Sequence, residues 1–95
     1  MRILASEQVQ RWLISLPPET KKRVRAELKL LAAGKAREVA AFRGELDSFL
    51  RLRIGDYRII YHIETGRTIK LDYADLRETV YGTFLQILML GNLKN

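Results

Sequence analysis

Three patterns in this 95-residue sequence predict an α+β fold, with helices in the first third and strands after them. Val9, Trp12, Leu13 and Leu16 recur at i, i+3, i+4 and i+7, which puts them on one face of a helix. From Leu50 to Ile63 apolar and polar residues alternate, the period of a strand. Only Gly55 and Asp56 lie between the two runs, and a two-residue loop of this kind makes the flanking strands antiparallel neighbours.

The elements follow in order. Arg2 to Ala5 is a short apolar strand. Ser6 can cap the first helix, because its hydroxyl can accept one of the backbone N–H groups left free at a helix start. Pro17 and Pro18 end that helix, and Pro18 or Glu19 opens a second, whose buried stripe is Val24, Leu28 and Leu31 and whose stop is Gly34. Lys35 to Glu45 shows no clear period and reads as a charged connecting loop. The turn at Gly55-Asp56 then pairs Ile54 with Tyr57, Arg53 with Arg58, Leu52 with Ile59 and Arg51 with Ile60.

Paired residues share a sheet face. One face is therefore Leu50, Leu52, Ile54, Tyr57, Ile59, Tyr61 and Ile63, which is core. The other carries Arg51, Arg53, Arg58, Ile60 and His62. A three-residue loop, Thr65-Gly66-Arg67, leads into a third strand that keeps Ile69, Leu71 and Tyr73 on the core side. Val80 to Leu90 is apolar nearly all round, which fits a short C-terminal helix or an extra strand. Residues 1–95 are expected to form a single domain, with the modest core that a chain of this length allows.

Seventeen Lys and Arg against eleven Asp and Glu give a net charge of +6. Such a surplus favours anionic partners. Absence of cysteine excludes disulfides and thiol chemistry and fits a reducing cytoplasm. No run reaches the roughly 18 apolar residues of a membrane span, and Met1 to Leu16 lacks a signal-peptide core, so a soluble cytoplasmic protein without membrane association is expected.

Candidate functional residues cluster in the hairpin. Arginine directly opposite arginine repels, at a cost of about a few tenths of a kcal/mol, so an anion is expected to offset it. Three converging guanidinium forks suit phosphate. Lys21, Lys22 and Arg25, with Arg23 and Lys29, would extend the positive field from the second helix. Tyr81, four residues after Arg77, can sit beside the arginine face if the chain turns back there. His62 is the sole histidine, too few to build a His or Cys metal site. Glycines 44, 55, 66, 82 and 91 form no phosphate-cradling motif, and Ser15 and Ser48 have no triad partners.

Leu16-Pro17 after an amphipathic helix, a second basic helix, Arg51-Leu-Arg-Ile-Gly-Asp-Tyr-Arg-Ile-Ile-Tyr61 and Arg77-Glu-Thr-Val-Tyr81 together resemble the RelE/ParE toxin superfamily of type II toxin–antitoxin systems. The resemblance runs over nearly the whole chain up to Tyr81. It implies two N-terminal helices packed on a small antiparallel sheet, a short C-terminal helix and an antitoxin protein as partner. On the RelE-like branch, which retention of Tyr81 favours, it implies a metal-independent, cofactor-free mRNA endoribonuclease that acts on the ribosome and inhibits translation. An RNA 2′-hydroxyl attacks its own 3′ phosphate there, leaving a cyclic phosphate and a free 5′-hydroxyl.

The same resemblance assigns residues. Arg58 and Arg77 match arginines that would stabilise the phosphorane, Arg51 and Arg53 match the paired basic residues that would bind flanking phosphates or protonate the leaving group, and Tyr81 would act as general base or stack on a base. Arginine stands at 51 and 53 in place of lysine, and Leu76 stands where many relatives carry histidine. Two other readings are a ParE-like inhibitor of DNA gyrase and a degenerate module whose basic face binds only the antitoxin.

Overall fold

The computed structural model describes residues 1–94. Its elements run β1 (Arg2–Ala5), α1 (Glu7–Ser15), α2 (Pro18–Ala32), β2 (Val39–Ala41), a 3-10 turn (Gly44–Leu46), β3 (Leu50–Ile54), β4 (Tyr57–Glu64), β5 (Thr68–Leu76) and α3 (Val80–Lys94). The strands among the described residues form one sheet in the order β1-β5-β4-β3-β2. The α+β class and the two leading helices agree with the sequence reading. The sheet is not purely antiparallel, because β1 pairs with β5 in parallel. A strand entering α1 and returning only after two helices and three strands is free to lie parallel to its neighbour.

Both helix boundaries on the first layer follow local chemistry. The Ser6 hydroxyl accepts from the Val9 N–H at 3.2 Å and donates to the Asp72 carbonyl at 2.9 Å, so one side chain caps α1 and ties it to β5. After α2 the Gly34 N–H donates to the Leu31 carbonyl and the Lys35 N–H to the Leu30 carbonyl. That pair of bonds needs a left-handed residue between them, and Gly34 supplies it at φ +73°.

The main core is Val9 and Leu16 of α1 and its C-cap, Val24 and Leu31 of α2, and Leu52, Ile54, Ile59, Tyr61, Ile69, Leu71 and Ala74 of the sheet. Turn arithmetic gives the β3–β4 register as observed, from Ile54 opposite Tyr57 to Arg51 opposite Ile60. Three expectations need correction. Within the expected loop 35–45, Val39–Ala41 is an edge strand on β3, too short at three residues to show alternation. Tyr73 lies on the far face from the main core, because the β4–β5 register shifts between Ile60 and Tyr61 and the extra residue, Asp72, reverses every later side chain. Ile63 is 53% exposed, being near the end of β4 beyond the reach of the helices.

The third helix is longer than expected, at 15 residues. It covers the second face of the sheet: Val80 and Phe84 pack on Ile60, with Phe42, Leu46, Phe49, Tyr73, Tyr81 and Leu88 around them. Phe84 meets Phe49 edge to face at 5.1 Å and lies nearly parallel to Tyr73 at 6.2 Å. Burying Ile60 completely contributes about 1.5–3 kcal/mol. The outer side of α3, with Ile87, Met89 and Leu90, stays exposed.

Beyond Leu71, β5 loses β1 as a neighbour, and α1 takes over. The Gln8 amide donates to the Ala74 carbonyl at 2.7 Å and accepts from the Ala74 N–H at 2.9 Å, as a neighbouring strand would. Gln8→Ala leaves both groups without a partner and is expected to cost about 1–3 kcal/mol in urea unfolding; a loss below a few tenths would show that water replaces the amide without penalty.

Candidate functional site

The outer face of the hairpin is built in cross-strand rows. Nearest the turn, Arg53 of β3 faces Arg58 of β4, which faces Asp75 of β5. In the next row Arg51 faces Ile60, which faces Tyr73. Asp75 thus stands in the same cross-strand row as the arginine pair, with its oxygens bonded to other groups.

The three hairpin arginines differ in kind. Arg58 is only 7% exposed, and its Nη1 donates to the Gly55 and Tyr57 carbonyls, both at 2.8 Å. Its guanidinium braces the turn from below. Arg51 and Arg53 are exposed. Arg51 Nη1 donates to the Tyr81 phenol oxygen at 3.0 Å, across 30 residues of chain. Tyr81 is held from its other side by Phe42, edge to face at 5.4 Å.

Arg77 reaches the same end of the face. Its backbone N–H donates to the Asp56 carbonyl at 2.8 Å, so the segment after β5 is stitched across the hairpin turn before α3 begins. Arg77 Nε lies 3.3 Å from Glu78 Oε1, both side chains being exposed. A bond from its own backbone N–H, then Arg77 and the nearby charge of Arg58, hold the Glu78 carboxyl below the usual range. Asp75 is engaged at both oxygens, by the Leu76 N–H at 2.7 Å and the Tyr73 hydroxyl at 3.3 Å. Burial, followed by the charge of Asp75, pushes the Tyr73 phenol up.

Of the residues singled out in the sequence, Arg51, Arg53 and Arg58 share this face, Tyr81 bonds Arg51, and Arg77 is tied by its backbone to the turn at the end of the face. Lys21, Lys22 and Arg25 do not join them. They belong to α2, whose Val24 and Leu31 pack on the opposite face with Leu52 and Ile54, so their charges form a separate patch beside Pro18 and Ala26. Phe42, Asp75 and Glu78 were not picked out. Phe42 lay in a segment without period, and only the strand pairing of β2 brings it to Tyr81.

His62 is bonded to two acidic side chains. On the far side of α3 its Nδ1 lies 2.6 Å from Asp72 Oδ2 and its Nε2 3.3 Å from Glu64 Oε1, while Phe49 packs edge-on at 5.7 Å. Lys70 in turn pairs with Glu64 at 3.0 Å. Burial alone would lower His62, but the bonds and charges of Asp72 and Glu64 outweigh it and raise the imidazole above its ordinary 6.5. Burial pushes Asp72 up, against the pull of His62. Among the described residues no group of three or more His, Cys, Asp and Glu side chains is arranged to hold a metal ion.

No protein-family model matches the sequence, and no curated protein matches it. Among solved structures, a chain of the toxin–antitoxin complex RelBE2 from Mycobacterium tuberculosis is 25% identical, with a TM-score of 0.64 over 80% of this chain and 96% of that one. A chain of the RelB–RelE antitoxin–toxin complex from Methanococcus jannaschii is 20% identical, with a TM-score of 0.66 over 85% of this chain and 98% of that one. YafQ from Escherichia coli strain BL21(DE3) is 12% identical, with a TM-score of 0.60 over 83% and 97%. The chain has the RelE-like toxin fold.

The raised His62 value has a testable sign. Folding favours the protonated ring, so this stabilisation is complete below the unfolded value of 6.5 and is lost as pH rises through the folded one. The stability deficit of His62→Gln in urea is expected to be largest near about pH 6 and to shrink towards about pH 9. A deficit independent of pH would remove the ion pair from the account.

Proposed function

We propose that this chain is the toxin of a toxin–antitoxin pair and that it cleaves messenger RNA on the ribosome. The observation that carries this reading is the Arg51–Tyr81 hydrogen bond, which places a phenol among exposed arginines on one sheet face. The similarity to chains from RelB–RelE complexes supports an antitoxin as partner.

The chemistry asked of such a face is positioning and charge stabilisation. A phosphate in transesterification gathers negative charge on its non-bridging oxygens, and preformed cationic donors lower that barrier because they need no reorganisation. Arg53, which is exposed, and Arg77, 57% exposed beside Glu78, would bind those oxygens. Arg58 supplies buried charge behind them while holding the turn that orients them. Arg51 fixes Tyr81. The products are a 2′,3′-cyclic phosphate and a 5′-hydroxyl end, formed without a metal ion. Lys21, Lys22 and Arg25 lie on the other layer and act, on this reading, as a separate phosphate-binding patch and not as part of the reacting face. The site of action is the cytoplasm.

Arg77→Ala and Tyr81→Phe are each expected to slow cleavage by about 100-fold or more in primer extension on programmed ribosomes. Both leave the sheet and its core untouched, so binding to the antitoxin should persist. Intact message during growth arrest would sink the nuclease reading, and trapped gyrase cleavage complexes would replace it with the gyrase one.

A further inference from the structure

We propose that Glu78 is the proton acceptor of the cleavage reaction and Tyr81 its proton donor, an assignment that rests on the nuclease reading above. The direction of one hydrogen bond supports it. A guanidinium has donors and no acceptor, so in the Arg51–Tyr81 contact the phenol oxygen accepts. The phenol's own proton is then left to point elsewhere. A tyrosine held this way is arranged to give a proton, with a cation in place to stabilise the phenolate that results.

The acceptor must therefore be another group. Asp75 is spoken for at both oxygens. Glu78 lies between Arg77 and the first turn of α3, three residues before Tyr81, and its side chain is 63% exposed. Its contact with Arg77 orients the carboxylate without burying it. A bond from its own backbone N–H, then Arg77, hold its carboxyl below the usual range, so it is ionised at neutral pH. Arginine cannot serve in its place, since its pKa above about 12 leaves no free acceptor.

The step balances as follows. The 2′-hydroxyl proton passes to Glu78 and the O–H electron pair becomes the new bond from O2′ to phosphorus. The bond from phosphorus to O5′ breaks with its pair on O5′, which takes the Tyr81 proton. Solvent then returns a proton from Glu78 to the phenolate beside Arg51.

The test is single-turnover cleavage on purified ribosomes programmed with message, using the full chain and its Glu78→Gln, Glu78→Asp and Glu78→Ala variants between about pH 6 and pH 9. The wild-type rate should stay level with pH. Glu78→Gln should fall by about 100-fold at neutral pH and then rise roughly tenfold per pH unit, as hydroxide replaces the carboxylate. Glu78→Asp should retain part of the rate, and added formate should restore part of it to Glu78→Ala, which a purely structural role would not allow. A Glu78→Gln enzyme with the wild-type rate and a level profile overturns this assignment and leaves the nuclease reading intact. A wild type that cuts no message overturns both.

Discussion

The rest of the structure depends on β4 being buried on both faces. Arg58, Ile59, Ile60 and Tyr61 are all buried, at 7%, 0%, 0% and 3% exposure. Ile59 and Tyr61 are covered by α1 and α2, and Ile60 by α3. A strand covered twice cannot present an open row of polar side chains. The basic face is accordingly divided: its middle is a hydrophobic seat for Val80 and Phe84, and charge survives only at the turn end, with Arg51, Arg53 and Arg77, and at the opposite end, with His62 and Lys70. The seat is what brings Tyr81 to Arg51, because the helix that fills it begins one residue before that tyrosine.

How much of this was legible follows from the range of the interactions involved. The hairpin register was readable because two turn residues determine it locally, and the helix limits because Ser6, Pro17 and Gly34 act on their immediate neighbours. The bulge was not. One extra residue in β5 looks the same in sequence as continued alternation, and it reverses Tyr73 without leaving a turn residue to mark it. The third helix was ambiguous for a different reason: a segment apolar on all sides has no amphipathic period, and what decides its conformation is the Ile60 seat, 20 residues away.

For the candidate site, residue type and strand parity single out Arg51, Arg53 and Arg58, and the family resemblance adds Arg77 and Tyr81, but neither ranks them. Arginine opposite arginine reads in sequence as two equivalent charges. In the structure one is turned under the hairpin to bond two carbonyls and the other faces water. Of the α2 cations, Arg23 lies beside the hairpin turn at Gly55, whereas Lys21, Lys22 and Arg25 fall elsewhere because a helix shows several sides and only the packing of Val24 and Leu31 decides which of them meets the sheet. Phe42 depends on a contact between segments far apart in the chain and Asp75 on a bulge, which no local pattern records, while Glu78 bonds its neighbour Arg77 and has no periodic pattern to mark it.

Burying Arg58 has a consequence for the exposed arginines. A guanidinium removed from water costs several kcal/mol unless its donors are matched, and here the Gly55 and Tyr57 carbonyls accept from it while the charge of Glu78 adds a smaller share. Arg58 is thereby committed to the turn and not to solvent. Arg53, directly opposite it, stays exposed, and Arg77 is tied to the same turn through its backbone N–H on the Asp56 carbonyl. Both exposed arginines therefore extend from backbone that is held before anything binds. On the proposed function, a turn fixed in advance removes part of the reorganisation that would otherwise oppose charge stabilisation.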